Sequence, residues 1–165
     1  MTEVHPGRFT ARIDGDSVAV FLIGMRINRP ARIGAWWPTL TAMPRMLRHL
    51  SQDPEAGLLG FHNWFGRTTL LLSYWRSVED INRFASDPDA PHAAAWRAFN
   101  RRISGSGHVG VWHETYLVRA GDYETVYNGM PRFGLAAATS HVPVVAGLST
   151  ARQRRAAGTR STTSA

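Results

Sequence analysis

Along this chain the spacing of apolar residues changes period several times, and each change marks an element. Ser17 to Ile27, SVAVFLIGMRI, is almost wholly apolar and rich in β-branched residues, the pattern of a central strand buried on both faces. Asn28-Arg29-Pro30 breaks it. From Ala31 to Ser51 the apolar residues Ile33, Trp36, Trp37, Leu40, Met43, Leu47 and Leu50 recur at helical intervals and share one face. Pro38 and Pro44 are expected to split or kink that helix, because each removes a backbone donor. Asp53 to Gly57 reads as a turn, and Leu58–Phe65 with Arg67–Trp75 as a hairpin around Gly66.

The stretch from Tyr74 to Tyr116 organises the rest. Ser77 followed by Asp80 is a capping pattern: the hydroxyl can accept from a free N–H of the first turn, and an acid there suits the positive helix end. A helix should begin at Val78. Asp87-Pro88 and Ala90-Pro91 interrupt it, and a second helical piece carrying His92 should run to about Arg102. After Gly105-Ser106-Gly107, period-two alternation puts Val109, Val111, His113, Thr115 and Leu117 on one face of a strand and Glu114 on the other.

The order is β-α-β-β-α-β with the second helix in two parts, a ferredoxin-like α+β fold with a four-stranded antiparallel sheet. With both helices on one face, the other face needs a cover, and a face-to-face homodimer would supply it. Residues 16–127 form this domain. Residues 1–15 are an arm with a short strand near Arg8 to Ile13, residues 128–148 a docking segment, and residues 149–165 a basic tail expected to be disordered.

Charge and composition narrow the function by exclusion. The net charge is +7, yet Arg152, Arg154, Arg155 and Arg160 lie in the acid-free tail; removing them (7 − 4) leaves +3, an ordinary globular balance that makes no case for nucleic acid. With 0 cysteines the chain has no disulfide, thiolate haem ligand or zinc–thiolate site. No apolar run is long enough to cross a membrane and no signal peptide is visible, so a cytoplasmic location is the default expectation. Nucleotide-binding, serine-hydrolase and zinc-protease motifs are absent from the sequence.

The residues YWRS-x-ED at 74–80, a histidine in the following helical segment, and W-HET-Y at 112–116 together carry a resemblance. Over roughly residues 10–138 the chain resembles a family of single-domain, monooxygenase-like proteins of the dimeric α/β-barrel superfamily. Over about residues 71–135 it is more distantly similar to the haem-containing aldoxime dehydratases. The resemblance to the dehydratases implies haem ligated by His92 and a catalytic acid–base at His113, separated by 21 residues (113 − 92). It also implies that Tyr127, Asn128, Pro131, Gly134 and Leu135 form the segment that closes over the haem. The barrel resemblance implies a homodimer acting on a small apolar substrate.

Beside that resemblance stand the residues themselves. An imidazole on a helix can ligate haem, and Trp96 and Arg76 are candidates to line the cofactor and hold a propionate; equally, His92 can be an exposed residue after Pro91. His113 among Val and Leu is either a core histidine or, with a pKa lowered by burial, a proton shuttle for an oxime, phenol or enol. His62, expected to share a face with Leu58 and Trp64, and its neighbour Asn63 are further catalytic candidates, with Ser73 as a neutral donor nearby. A cofactor-free oxygenase or isomerase would use His62, Asn63 and His113 alone. A non-catalytic binding module or haem carrier is the remaining alternative.

Overall fold

The computed structural model describes residues 3–89, Ala93, Arg97 and 105–161. In chain order the elements are β1 (His5–Arg12), β2 (Ser17–Ile27), α1 (Ile33–Gln52), β3 (Leu58–Trp64), β4 (Leu70–Trp75), α2 (Val78–Ser86), β5 (Val109–Arg119), β6 (Tyr127–Met130), α3 (Leu135–Ala138), β7 (Ser140–Pro143) and α4 (Ala151–Ser161). Strands β3-β4-β2-β5 form an antiparallel sheet in that order, and β6-β1-β7 form a smaller one. Because β2 and β4, the first and third strands of the motif, lie side by side at the centre, the four-stranded sheet has ferredoxin-like topology. The apolar run Ser17–Ile27 sits between β4 and β5, where both of its backbone edges are paired.

Both helices cover one face of this sheet. Leu50 of α1 and Ile81 of α2 are buried against Ala19 and Trp75. The start of α2 is set as its sequence dictates: the Ser77 hydroxyl accepts from the Asp80 N–H at 3.1 Å. Asp80 is itself buried and is held by Arg76 and Arg83, its Oδ2 accepting from Arg76 Nε at 3.1 Å. Burial alone would raise the Asp80 pKa, but the two guanidinium hydrogen bonds outweigh it and hold the carboxyl below the usual range. Helix α1 is not split, since one helix runs through both Pro38 and Pro44. Leu47 and Leu50 anchor its last turns, and tertiary burial outweighs the lost donors.

Part of the opposite face is covered by the chain itself, while Tyr116 on the same face stays exposed. Leu135 and Ala136 of α3 bury themselves against Val18 and Tyr74, with Val20, Leu72, Val118 and Tyr127 packed around them. The N-terminal arm likewise stays within the chain, with β1 pairing β6 on one side and β7 on the other. The tail is also more ordered than its composition suggested. Residues 151–161 are helical, and Arg154 is buried in an ion pair with Glu124 while donating to Leu148 O at 2.9 Å. A buried guanidinium with a half-buried carboxylate partner anchors a segment that composition alone reads as solvated.

Candidate functional site

Between the helical face of the sheet and α1 lies a cavity of about 390 Å³. Its walls are apolar side chains from every surrounding element, among them Ile23 and Met25 of β2, Met43 and Leu50 of α1, Leu71 of β4 and Phe84 of α2. Size and lining suit a small, largely apolar ligand. Asn63, His113 and Thr115 add polar groups. Neither the Asn63 amide nor the His113 imidazole has a hydrogen-bond partner among the described residues, and His113 touches Phe21 with ring centroids 5.9 Å apart. Ser73, by contrast, is fully committed: its hydroxyl donates to Phe21 O at 3.0 Å and accepts from Trp75 Nε1 at 2.9 Å. It holds the sheet together and has no proton to offer.

His113 lies on the face expected from alternation, but it is exposed and no core residue. The reason is topological. β5 pairs with β2 along one side and forms an edge of the sheet, so its cavity-side residues stand at the rim. Glu114 points to the other face and accepts from Tyr116 Oη at 2.7 Å, so it takes no part in orienting the imidazole.

His62 falls on the wrong side of the sheet for this cavity. The pairing of β3 with β4 shifts between Leu58 and Gly60, a bulge that reverses the period-two pattern. Leu58 therefore faces the helices, while His62, paired with Leu72, faces outward. Sequence alternation put both on one face because it cannot see an inserted residue. Outward-facing His62 has a defined job: its Nε2 accepts from the Gly134 N–H at 2.9 Å, and its ring lies against Phe133 with centroids 4.1 Å apart. An accepting Nε2 means a neutral ring with its proton on Nδ1. Burial lowers the His62 pKa in the same sense.

Around that hydrogen bond the outer seal is built. Gly134 has φ of +57°, and a Cβ there would meet the hydroxyls of Tyr127 and Tyr74, each at 3.4 Å. Glycine is thus favoured by conformation, the two hydroxyls lying at ordinary contact distance. Burial, with Tyr127 adding to it, pushes the Tyr74 hydroxyl up to about 12, so it stays protonated. The segment from Tyr127 to Leu135, expected to close over a haem, is on the face opposite the cavity. His141, not among the candidates read from the sequence, stacks on Phe9 at 4.2 Å beside His5, and burial lowers its pKa.

Of the residues named for haem, His92 and Trp96 lie outside the described residues. Arg76 donates to Asp80 and to Glu55 O, the latter at 2.8 Å, and does not line the cavity. The described wall contains no Arg, so it offers no partner to a haem propionate and does not by itself fit that group. No cluster of metal-ligating side chains occurs among the described residues.

An α+β domain with ferredoxin-like topology and an apolar cavity between sheet and helices defines the class. The chain belongs to the monooxygenase af470-like family, whose model matches residues 18–135. Monooxygenase af470 of Aspergillus fumigatus is 33% identical over 149 residues, which cover 77% of this chain and 52% of the relative. The chain therefore spans about half the length of that curated protein. Among solved structures, SnoaB, a cofactor-independent oxygenase from Streptomyces nogalater, is similar with a TM-score of 0.42 at 17% identity, covering 64% of this chain and 95% of that one. The aldoxime dehydratase OxdRE in complex with butyraldoxime is similar with a TM-score of 0.48 at 12% identity, covering 81% and 41%.

Proposed function

We propose that the protein is a small-molecule monooxygenase acting on an apolar, enolisable or phenolic substrate held in the cavity between the sheet and α1. The observation that carries this reading is the pair Asn63 and His113: two polar side chains on the walls of an apolar cavity, neither with a hydrogen-bond partner among the described residues. Polar groups with no partner in the protein, at the edge of an apolar space, are what a ligand-orienting site requires. His113 takes a proton from an activated CH₂ or phenol, and the resulting electron-rich carbanion or enolate combines with dioxygen. For a CH₂ group, one oxygen atom remains as a new C=O, and the other leaves as water with the two hydrogens. The Asn63 amide donates to the oxygen on which charge develops. Membership of a family named for a monooxygenase supports oxygen chemistry, while the substrate is part of the proposal.

The test is oxygen uptake by the purified protein with anthrone as probe, without added metal or cofactor. The expected result is acceleration that falls about 10²-fold or more in His113→Ala and by roughly tenfold in Asn63→Ala. No acceleration and no binding of the probe overturns the reading. Haem ligated through His92, and with it an aldoxime dehydratase-like lyase, is the competing proposal from resemblance. A saturable Soret band on adding hemin that collapses in His92→Ala, with turnover of an aldoxime, would replace oxygenation by that chemistry. Tight ligand binding without turnover of either probe favours a binding module. The homodimer belongs to the same proposal, with Val111, Tyr116 and Leu117, all exposed on edge strand β5, as its candidate surface. Sedimentation at micromolar concentration checks it.

A further inference from the structure

A second space of about 300 Å³ opens beside the main cavity, between α1 and β3. The two share Met43, Leu47, Asn63 and Phe65 as walls, so the second space is a side groove that meets the first at Asn63. On α1, Pro44, Arg48 and Ser51 follow one another at helical spacing along this groove. Arg48 is the one charged residue lining either space among the described residues. Its guanidinium is exposed and has no ion-pair or hydrogen-bond partner among them. Ser51, the nearest hydroxyl on the helix, donates its proton to Leu47 O at 2.8 Å and has none left for a ligand.

We infer that the substrate carries an anionic group, of the carboxylate class, which Arg48 binds in the side groove while the apolar body occupies the main cavity. The inference rests on the cavity being the substrate site, and it adds what that site alone leaves open. The main cavity has no cationic side chain on its described wall, so burying an ionised carboxylate there would go uncompensated. A carboxylate in the groove keeps partial contact with water and gains a guanidinium whose planar fork matches two oxygens. The attached body then passes Asn63 on its way into the cavity. Arg48 is thus a specificity residue that fixes which end of the substrate enters first, and it takes no part in bond making.

The experiment is calorimetric titration of 2-naphthoic acid and its neutral isostere 2-naphthamide into the full chain at physiological salt. Wild type should bind the acid roughly tenfold more tightly than the amide. Arg48→Gln should erase that preference while leaving the amide affinity unchanged, and Arg48→Lys should restore part of it, because a point charge keeps the attraction but loses the fork. Since Arg48 is exposed, circular dichroism of the variants should match wild type. Equal binding of acid and amide by wild type, or a preference that survives in Arg48→Gln, overturns the inference while leaving the cavity assignment standing. Failure of both acid and amide to bind overturns the cavity assignment, and the inference with it.

Discussion

On the face of the four-stranded sheet that carries Val18, Leu72 and Tyr74, the chain packs its own α3 into place. The opposite face packs on α1 at Met25 and Ala19, but between them, at Ile23 and His113, it stands off across a cavity of about 390 Å³. Both faces are built from the same strands by alternate residues, so strand propensity cannot explain the difference. What differs is the partner. The outer face meets a short segment tied down through Gly134 to His62, and the inner face meets a long helix anchored in both halves, through Ala35, Trp36 and Leu40 on Met25 and through Leu47 and Leu50 near its end. Where α3 packs, the outer face is finished as core, whereas the middle of the inner face is left open for a ligand. Stability and binding are thereby assigned to opposite sides of one sheet.

Substitutions should report that division, and the largest loss belongs to the sealed side. Leu135→Ala removes a side chain that is 6% exposed and should destabilise by about 3 kcal/mol in urea unfolding. Ile23→Ala, which enlarges a space already present, should cost about 1 kcal/mol. Equal costs would mean that the cavity is closed in solution. Next in size, His62→Ala leaves the Gly134 N–H without its acceptor inside the seal and should cost about 2 kcal/mol, part of which His62→Gln recovers through its amide oxygen. A loss no smaller in the Gln variant would show that ring packing on Phe133 matters more than the hydrogen bond.

The same contrast predicts a pH dependence. The fold holds His62 and His141 neutral, their pKa values lowered from 6.5 by burial first and, for His141, by His5 and Arg132 as well. The unfolded chain therefore binds more protons than the folded one below that value. The stability these histidines contribute is present above pH 6.5 and is lost as the pH falls through their folded pKa values. A urea midpoint followed from pH 8 to pH 5 should fall in wild type and fall less in His62→Gln. The smallest effect is expected at the cavity rim: His113→Ala should change stability by no more than about 0.5 kcal/mol, since the side chain is exposed, while abolishing the proposed activity. A large stability loss there would make His113 a structural residue and remove it from the site.

Much of the chain was legible before any coordinates. The ends of β2, the start of α2 at Val78 and the strand from Val109 onward follow from apolar runs, a hydroxyl cap and alternation, all local signals. That His113 shares a face with Val109 and Val111 and that Glu114 points the other way were legible too, because period two holds within an uninterrupted strand. Three readings failed for the same kind of reason. The bulge at Leu58–Gly60 turned His62 to the other face, the edge position of β5 left His113 exposed, and the part-buried Arg154–Glu124 pair ordered a tail whose composition reads as solvated.

By itself, then, the sequence determined the element order, the ferredoxin-like class and the residue types that can do chemistry, because periodicity, caps and breakers act over a few residues. Which of those residues meet was settled by packing between distant elements. That His62 locks Gly134 while Asn63, one position later, faces the cavity depends on a register shift and on a segment some 70 residues downstream, the separation of Gly134 from His62 being 72. Likewise, Arg48 joins a ligand groove only because α1 lies across β3. Contacts between elements far apart in the chain leave no periodic trace in it, and they set where the protein is sealed and where it stays open.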